Sequence, residues 1–213
     1  MIRFTEAQTK LPHIALPPEI PVILASGSPR RRELCTRMGL TFSVHPADCD
    51  EDYDSTLSPL AAVELLSCRK CATVVAEVGE KPLVIASDTM VELDGKALGK
   101  PKSEAEAREM LRRLSGRRHF VRTGLAVACK GKMLHTADTT AVTFRTLTEE
   151  EIDGYVATGE PMDKAGSYAV QGRGGDFVVA VDGRWDTIVG LCCLEVARLV
   201  GELLPEAVVG ENL

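Results

Sequence analysis

Val22-Ile-Leu-Ala-Ser-Gly-Ser-Pro-Arg-Arg-Arg-Glu-Leu34 decides how this chain is read. Val22–Ala25 is an apolar run of strand character. Ser26-Gly27 turns the chain into a helix with Ser28 as N-cap and Pro29 at the first helical position. Arg30, Arg31 and Arg32 then fill the first helical turn, where the helix dipole disfavours cations. An anion among the free N–H groups of that turn reverses the sign, so the segment reads as a phosphate site. Consecutive helical residues point about 100° apart, so one or two of the arginines can face a ligand and not all three. The spacing does not match a P-loop.

The rest of the chain fits a small polyanion rather than a nucleic acid. The 213 residues carry a net charge of −6, with 45% hydrophobic and 26% charged residues, which describes an ordinary globular protein without a broad basic face. No apolar run approaches the roughly 20 residues that span a membrane. The seven cysteines are scattered, and Cys68-Arg-Lys-Cys71 has no second pair or histidine near it. They read as small buried hydrophobes in a reducing compartment, which makes the expected location cytoplasmic.

Helix starts are legible. Ser58-Pro59 opens a helix over about 58–78, Ser103-x-x-Glu106 and Thr148-x-x-Glu151 are capping boxes, and a last helix covers 191–204. Strands are predicted at 22–25, 41–45, 83–86, 90–93, 120–129, 133–145, 177–181 and 187–189, with hairpin turns at Asp94-Gly95, Lys130-Gly131 and Asp182-Gly183. Early α/β alternation followed by long adjacent strands predicts a mixed sheet. Residues 1–20, with Pro12, Pro17 and Pro18, read as an irregular surface arm, and 21–213 as one two-lobed domain.

Asp88 follows the buried run Leu83–Ser87, which places a carboxylate at a strand's carboxyl end, where open α/β sheets bind ligands. Asp48, Asp50, Glu51, Asp52 and Asp54 crowd one short loop, but Tyr53 and Pro59 stand where an EF-hand needs glycine and glutamate. Local spacing does not say which of these carboxylates could reach a divalent ion. Lys70, Lys100 and Lys164 lie on separate segments and could surround a triphosphate as point charges. Gln171 offers both a donor and an acceptor, as base-edge recognition requires. No Ser-His-Asp arrangement is present in the pattern.

Several motifs occur together and in order: Leu24-Ala-Ser-Gly-Ser-Pro-Arg-Arg31, Ser87-Asp-Thr89, Lys100-Pro101, Leu114-Ser-Gly116, Val142-Thr-Phe-Arg145, Glu160-Pro-Met-Asp-Lys-Ala-Gly166, Val170-Gln-Gly172 and Val189-Gly-Leu191. With them the chain resembles the Maf family of nucleoside triphosphate pyrophosphatases over about residues 22–200. The resemblance implies an inosine triphosphate pyrophosphatase-like fold: a long mixed central sheet with flanking helices and two lobes around a cleft. It implies hydrolysis between the α and β phosphates with a divalent metal, Mg²⁺ or Mn²⁺, as a house-cleaning activity on the nucleotide pool, and a homodimer. By motif, Asp88 is the catalytic carboxylate, acting as proton acceptor, metal ligand or both. Glu51 is a second metal ligand, and Ser26, Arg30, Lys70 and Lys100 bind phosphate. Arg31, Thr89 and Gln171 match the branch that prefers dTTP and UTP, whereas the 7-methyl-GTP branch carries Ser-Pro-Trp, Asp-Gln and Glu-Gly. The alternatives are a purine or 7-methyl-GTP pyrophosphatase and a non-catalytic nucleotide-binding regulator of cell division. The chain departs from the family pattern at Gly99, at Cys68-Arg-Lys70-Cys71 and at Gly190-Leu-Cys-Cys193, where Gly-Leu-Pro is common.

Overall fold

The computed structural model describes residues 4–211; Met1–Arg3 of the predicted arm and Asn212-Leu213 of the predicted domain lie outside the described residues. In chain order the elements are α1 (Glu6–Thr9), β1 (Pro12–Ala15), β2 (Val22–Leu24), α2 (Pro29–Arg37), β3 (Ser43–Val44), α3 (Pro59–Val78), β4 (Leu83–Leu93) and β5 (Lys96–Leu98). They continue with α4 (Glu104–Leu114), β6 (Arg118–Cys129), β7 (Lys132–Phe144), α5 (Glu149–Val156), β8 (Val178–Asp182), α6 (Trp185–Val189), α7 (Cys193–Leu203) and β9 (Val208–Glu211). Three short 3₁₀ turns lie between α5 and β8.

The main sheet runs β3-β2-β4-β6-β7-β8, with β5 added to β4. β2 is parallel to β3 and β4, and the remaining pairings are antiparallel, so the sheet is mixed as expected. The turns at Asp94-Gly95 and Lys130-Gly131 are hairpins with positive φ at both residues, at 53° and 75° and at 51° and 73°. Those angles match the right-handed twist of the strands they join.

The N-caps follow the sequence. The side chains of Ser28, Ser58, Ser103 and Thr148 each accept from the backbone N–H three residues on. Only the Thr148 box closes reciprocally among the last two; the Glu106 carboxylate accepts instead from the Lys102 N–H at 2.7 Å.

Four expectations are corrected. The predicted strands 83–86 and 90–93 are one 11-residue strand, β4, because antiparallel β6 pairs continuously with Val84–Glu92. Thr187–Val189 is the end of helix α6 rather than a strand; Gly190, at φ 116°, caps it in the left-handed region that favours glycine. Asp182-Gly183 leads from β8 into that helix and makes no hairpin. The arm is not irregular: α1 has a complete capping box on Thr5, and β1 pairs antiparallel with β9, with Pro12 opposite Glu211. Long-range bonds fix it. The Gln8 amide donates to Val181 O and Gly183 O, and the Arg184 guanidinium to Ala7 O and Lys10 O.

One sheet face is covered in two separate places. Leu83 and Ile85 of β4 belong to a core with α2, α7 and β1, whereas Val91 and Leu93 belong to a second core with α4, α5, Phe144 and Phe177. Between them, at the same alternation, stand the polar residues Ser87 and Thr89, with Thr123 opposite Thr89. The other face packs Val84, Ala86, Ala126 and Ala128 against Cys71 and Val74 of α3. Gly124 permits that approach, because a Cβ there would lie 2.1 Å from the Val63 carbonyl oxygen.

Candidate active site

A cleft of about 680 Å³ opens where the sheet is interrupted. β2 pairs with β4 only as far as Ile85, and β5 begins pairing at Val91. Asp88 lies in that gap, in mid-strand, and not at the strand end that the sequence predicted. α2 starts directly after β2, so its N-terminus meets the cleft from the side where the pairing stops.

Lys70 of α3 ties the acidic groups together. Its Nζ is 2.6 Å from Asp88 Oδ1 and 2.6 Å from Glu51 Oε1. Burial pulls the Lys70 pKa down, but the two carboxylates outweigh it and the net direction is up. The Lys70 hydrogen bond holds the Glu51 carboxyl below its ordinary range, against partial desolvation. Of the acidic run, only Glu51 lines the cleft. Arg69 explains why: its Nη1 donates to the carbonyls of Asp50 and Asp52, 2.7 Å each, gripping the loop on both sides of Glu51. Asp50 and Asp54 spend their own carboxylates on loop N–H groups.

The three arginines divide. Arg32 is exposed, and Arg30 lines the cleft with no hydrogen bond or ion pair among the described residues. Arg31 is half-buried and held on three sides: Nε donates to Gly190 O at 2.7 Å, Nη1 to Ser26 Oγ at 3.1 Å and Nη2 to Thr89 Oγ1 at 3.2 Å. Desolvation lowers its pKa and Asp88 opposes that shift, which leaves a guanidinium still charged at any working pH. Ser26 is thus an acceptor for Arg31 before it meets any ligand. Lys100 and Gln171 are exposed on the cleft wall, and Lys164 there pairs with Asp163. All the predicted site residues therefore line one cleft.

Sequence reasoning missed the Gly190 carbonyl, which accepts from Arg31 and lies 2.9 Å from Ser87 Oγ, a hydroxyl it shares with Gly124 O at 2.7 Å, and the buried Thr123 behind Thr89. Gly190 stands in the motif Val189-Gly-Leu191, but neither contact has a local signature, because both depend on register and on a loop folding back. Where Gly-Leu-Pro would place proline stands Cys192, whose Sγ lies 3.2 Å from Thr123 O. The next residue, Cys193, starts α7 by donating its N–H to Asp186 Oδ2 at 2.7 Å, and Arg184 Nε holds Oδ1 of the same buried carboxylate at 2.8 Å.

Two carboxylates, a bridging lysine and a helix N-terminus rich in arginine define a mixed α/β protein whose cleft suits a polyanion. Its family follows from comparison: residues 21–203 match the model described as Maf-like protein, and the chain belongs to the Maf family. A Moorella thermoacetica protein named dTTP/UTP pyrophosphatase is 48% identical over 181 residues, covering 84% of this chain and 93% of its own. A Bacillus cytotoxicus protein of the same name is also 48% identical over 181 residues, 85% of this chain and 93% of its own. A solved nucleoside-triphosphatase / dITP/XTP pyrophosphatase from Mycobacterium abscessus aligns with 88% of this chain and 96% of its own at 14% identity and TM-score 0.44. No helix among the described residues is long and apolar enough to cross a membrane.

Proposed function

We propose that this protein hydrolyses nucleoside triphosphates between the α and β phosphates, with dTTP and UTP as preferred substrates, releasing a monophosphate and pyrophosphate. The observation that carries the reading is Asp88 in the sheet gap, joined through Lys70 to Glu51 and facing the arginines of α2. The relatives of the same family, named for this activity, support it.

Each side chain has a task. Arg30, Lys100 and the first N–H groups of α2 hold phosphate oxygens, with Arg31 fixed beside them. Asp88 accepts the proton of the attacking water, while Lys70 fixes the orientation of its carboxylate. Gln171 at the rim reads the pyrimidine imide edge with its paired donor and acceptor.

A divalent ion fits this donor set. No group of three or more His, Cys, Asp or Glu side chains gathers among the described residues, but Mg²⁺ commonly takes one or two carboxylates and completes its shell with water and phosphate. Asp88 and Glu51 would hold it, and bound there it would neutralise charge on the phosphates. The protein would act as a homodimer in the cytoplasm.

The test is a panel of dTTP, UTP, 7-methyl-GTP and dITP with Mg²⁺ or Mn²⁺, read as pyrophosphate release. Release from dTTP and UTP, abolished in a folded Asp88→Asn variant, supports the reading. A protein that leaves both pyrimidine nucleotides intact refutes it.

A further inference from the structure

Arg31 and Thr89 meet the cleft, but the group that orders them lies behind it. We infer that Thr123 is a positioning residue for Arg31, acting through the hydroxyl of Thr89. The inference deepens the proposed function and rests on it wherever turnover is the readout.

Thr89 and Thr123 are directly opposed on β4 and β6, and their Oγ1 atoms are 3.0 Å apart. Distance alone leaves either hydroxyl free to donate. The two ends of the chain of bonds remove that freedom. At one end stands Arg31, whose guanidinium can only donate, so Thr89 Oγ1 must accept from Nη2. At the other end Thr123 Oγ1 lies 2.8 Å from Thr187 O, a carbonyl that can only accept. Each hydroxyl has one hydrogen. Thr123 spends its hydrogen on Thr187, so Thr89 gives its own to Thr123. One polarity satisfies every group: Arg31 to Thr89 to Thr123 to Thr187.

The acceptor at the far end is itself held. Thr187 lies in α6, its Oγ1 donates to Asp138 Oδ2 at 2.5 Å, and Cys192 Sγ is 3.2 Å from the Thr123 carbonyl oxygen. Thr123 and Thr187 are both fully buried and neither lines the cleft.

Two consequences bear on recognition. The Thr89 hydrogen is directed inward, so Thr89 offers a nucleotide no donor, and its influence on substrate passes through the arginine. Arg31, with Nε and one hydrogen of each Nη taken by Gly190, Ser26 and Thr89, keeps one hydrogen on each Nη for an anion. Those two hydrogens are aimed before the ligand arrives, which reduces the ordering cost of binding.

Thr123→Val keeps the branched shape and removes both the acceptor and the donor. Thr123→Ser restores them. With folding checked by Tm, Thr123→Val is expected to lower kcat/KM for dTTP on the order of tenfold, the effect of disordering a charged hydrogen bond. Thr123→Ser should stay within about twofold of wild type. In a Thr89→Val background, Thr123→Val should add less than about twofold, since its route to Arg31 is already cut. A second readout needs no substrate: the Arg31 side-chain N–H resonances of the ligand-free protein, sharp in wild type and in Thr123→Ser, should broaden or exchange faster in Thr123→Val. Unchanged resonances in Thr123→Val, or an equal loss of kcat/KM in both backgrounds, overturn the inference. Wild-type protein inactive on every nucleotide tested would overturn the proposed function, and the resonances would still decide the role of Thr123.

Discussion

Lys70 Nζ lies 2.6 Å from Asp88 Oδ1, linking the middle of α3 to the middle of β4. Both side chains are largely enclosed, at 12% and 13% exposure, whereas Glu51, the other partner of Lys70, is 62% exposed. Asp88 is therefore the partner that depends on Lys70 for compensation, since a poorly solvated charge without a counter-charge is costly.

Lys70→Met should accordingly cost more activity than Glu51→Gln. Loss of a positioned charge beside the reacting phosphates is expected to lower kcat on the order of a hundredfold. Glu51→Gln keeps an acceptor for the ammonium and should lose less at saturating metal. Steady-state kinetics on dTTP over a range of Mg²⁺ concentrations checks both.

Arg69 never reaches the cleft, yet it determines where Glu51 stands. Arg69→Met releases the two carbonyls that flank Glu51. The loop is exposed, so Tm should change by no more than a degree or two, while kcat/KM falls on the order of tenfold through misplacement. Unchanged kcat/KM in a folded Arg69→Met variant would contradict this assignment.

Gly124→Ala tests how closely α3 must approach the sheet. The added methyl would meet Val63 O at 2.1 Å and Glu64 N at 2.8 Å, both backbone atoms that cannot swing away. Overpacking of this kind costs about 1–3 kcal/mol, so Tm should fall by roughly 2–12 °C. Gly124 is the β6 partner of Asp88, and displacing α3 also displaces Lys70 from it. Calorimetry and turnover should therefore decline together.

His119 gives the fold a specific acid sensitivity. It is 1% exposed, its Nε2 is 2.9 Å from the Tyr168 hydroxyl and its Nδ1 has no hydrogen-bond partner among the described residues. Burial pushes its pKa down from 6.5 to about 4. Between those values the unfolded chain binds a proton that the folded chain refuses. Stability is thus fully present above about pH 6.5 and declines as the pH drops to about 4, by ~3 kcal/mol from this residue. Urea titrations across that window should show a shallower decline for His119→Phe than for wild type.

What the sequence made legible was local. Ser28-Pro29, Ser58-Pro59 and Thr148-x-x-Glu151 marked their helices because caps act within one turn. What escaped it depends on partners far along the chain. Asp88 reads as a strand end because Ser87-Asp-Thr89 is polar, yet β6 carries the strand through these residues. Thr187-Ile-Val189 has the β-branched composition of a strand, but Asp186 and Gly190 at its ends impose a short helix. The prolines of the arm suggested an irregular path over the surface, whereas β9 supplies a pairing partner that no local pattern announces. For the site, residue types were readable and their couplings were not: the grip of Arg69 on the acidic loop and the Gly190 carbonyl under Arg31 arise only on folding.

The polar seam at Ser87, Thr89 and Thr123 has a dynamic consequence. β4 and β6 are continuous, but the apolar cover on that face is divided, with α2 and α7 over one end and α4 and α5 over the other. Cooperative units form where apolar contacts are contiguous, so these halves should behave as distinct foldons that share strands and the short α6 but not α2, α4, α5 or α7. Native-state hydrogen exchange should find α4 and α5 opening with one common free energy and α2 and α7 with another. The cleft lies on the boundary between the two units, so loosening the α4 and α5 unit would widen its mouth while the α2 and α7 unit still holds Arg31 in place.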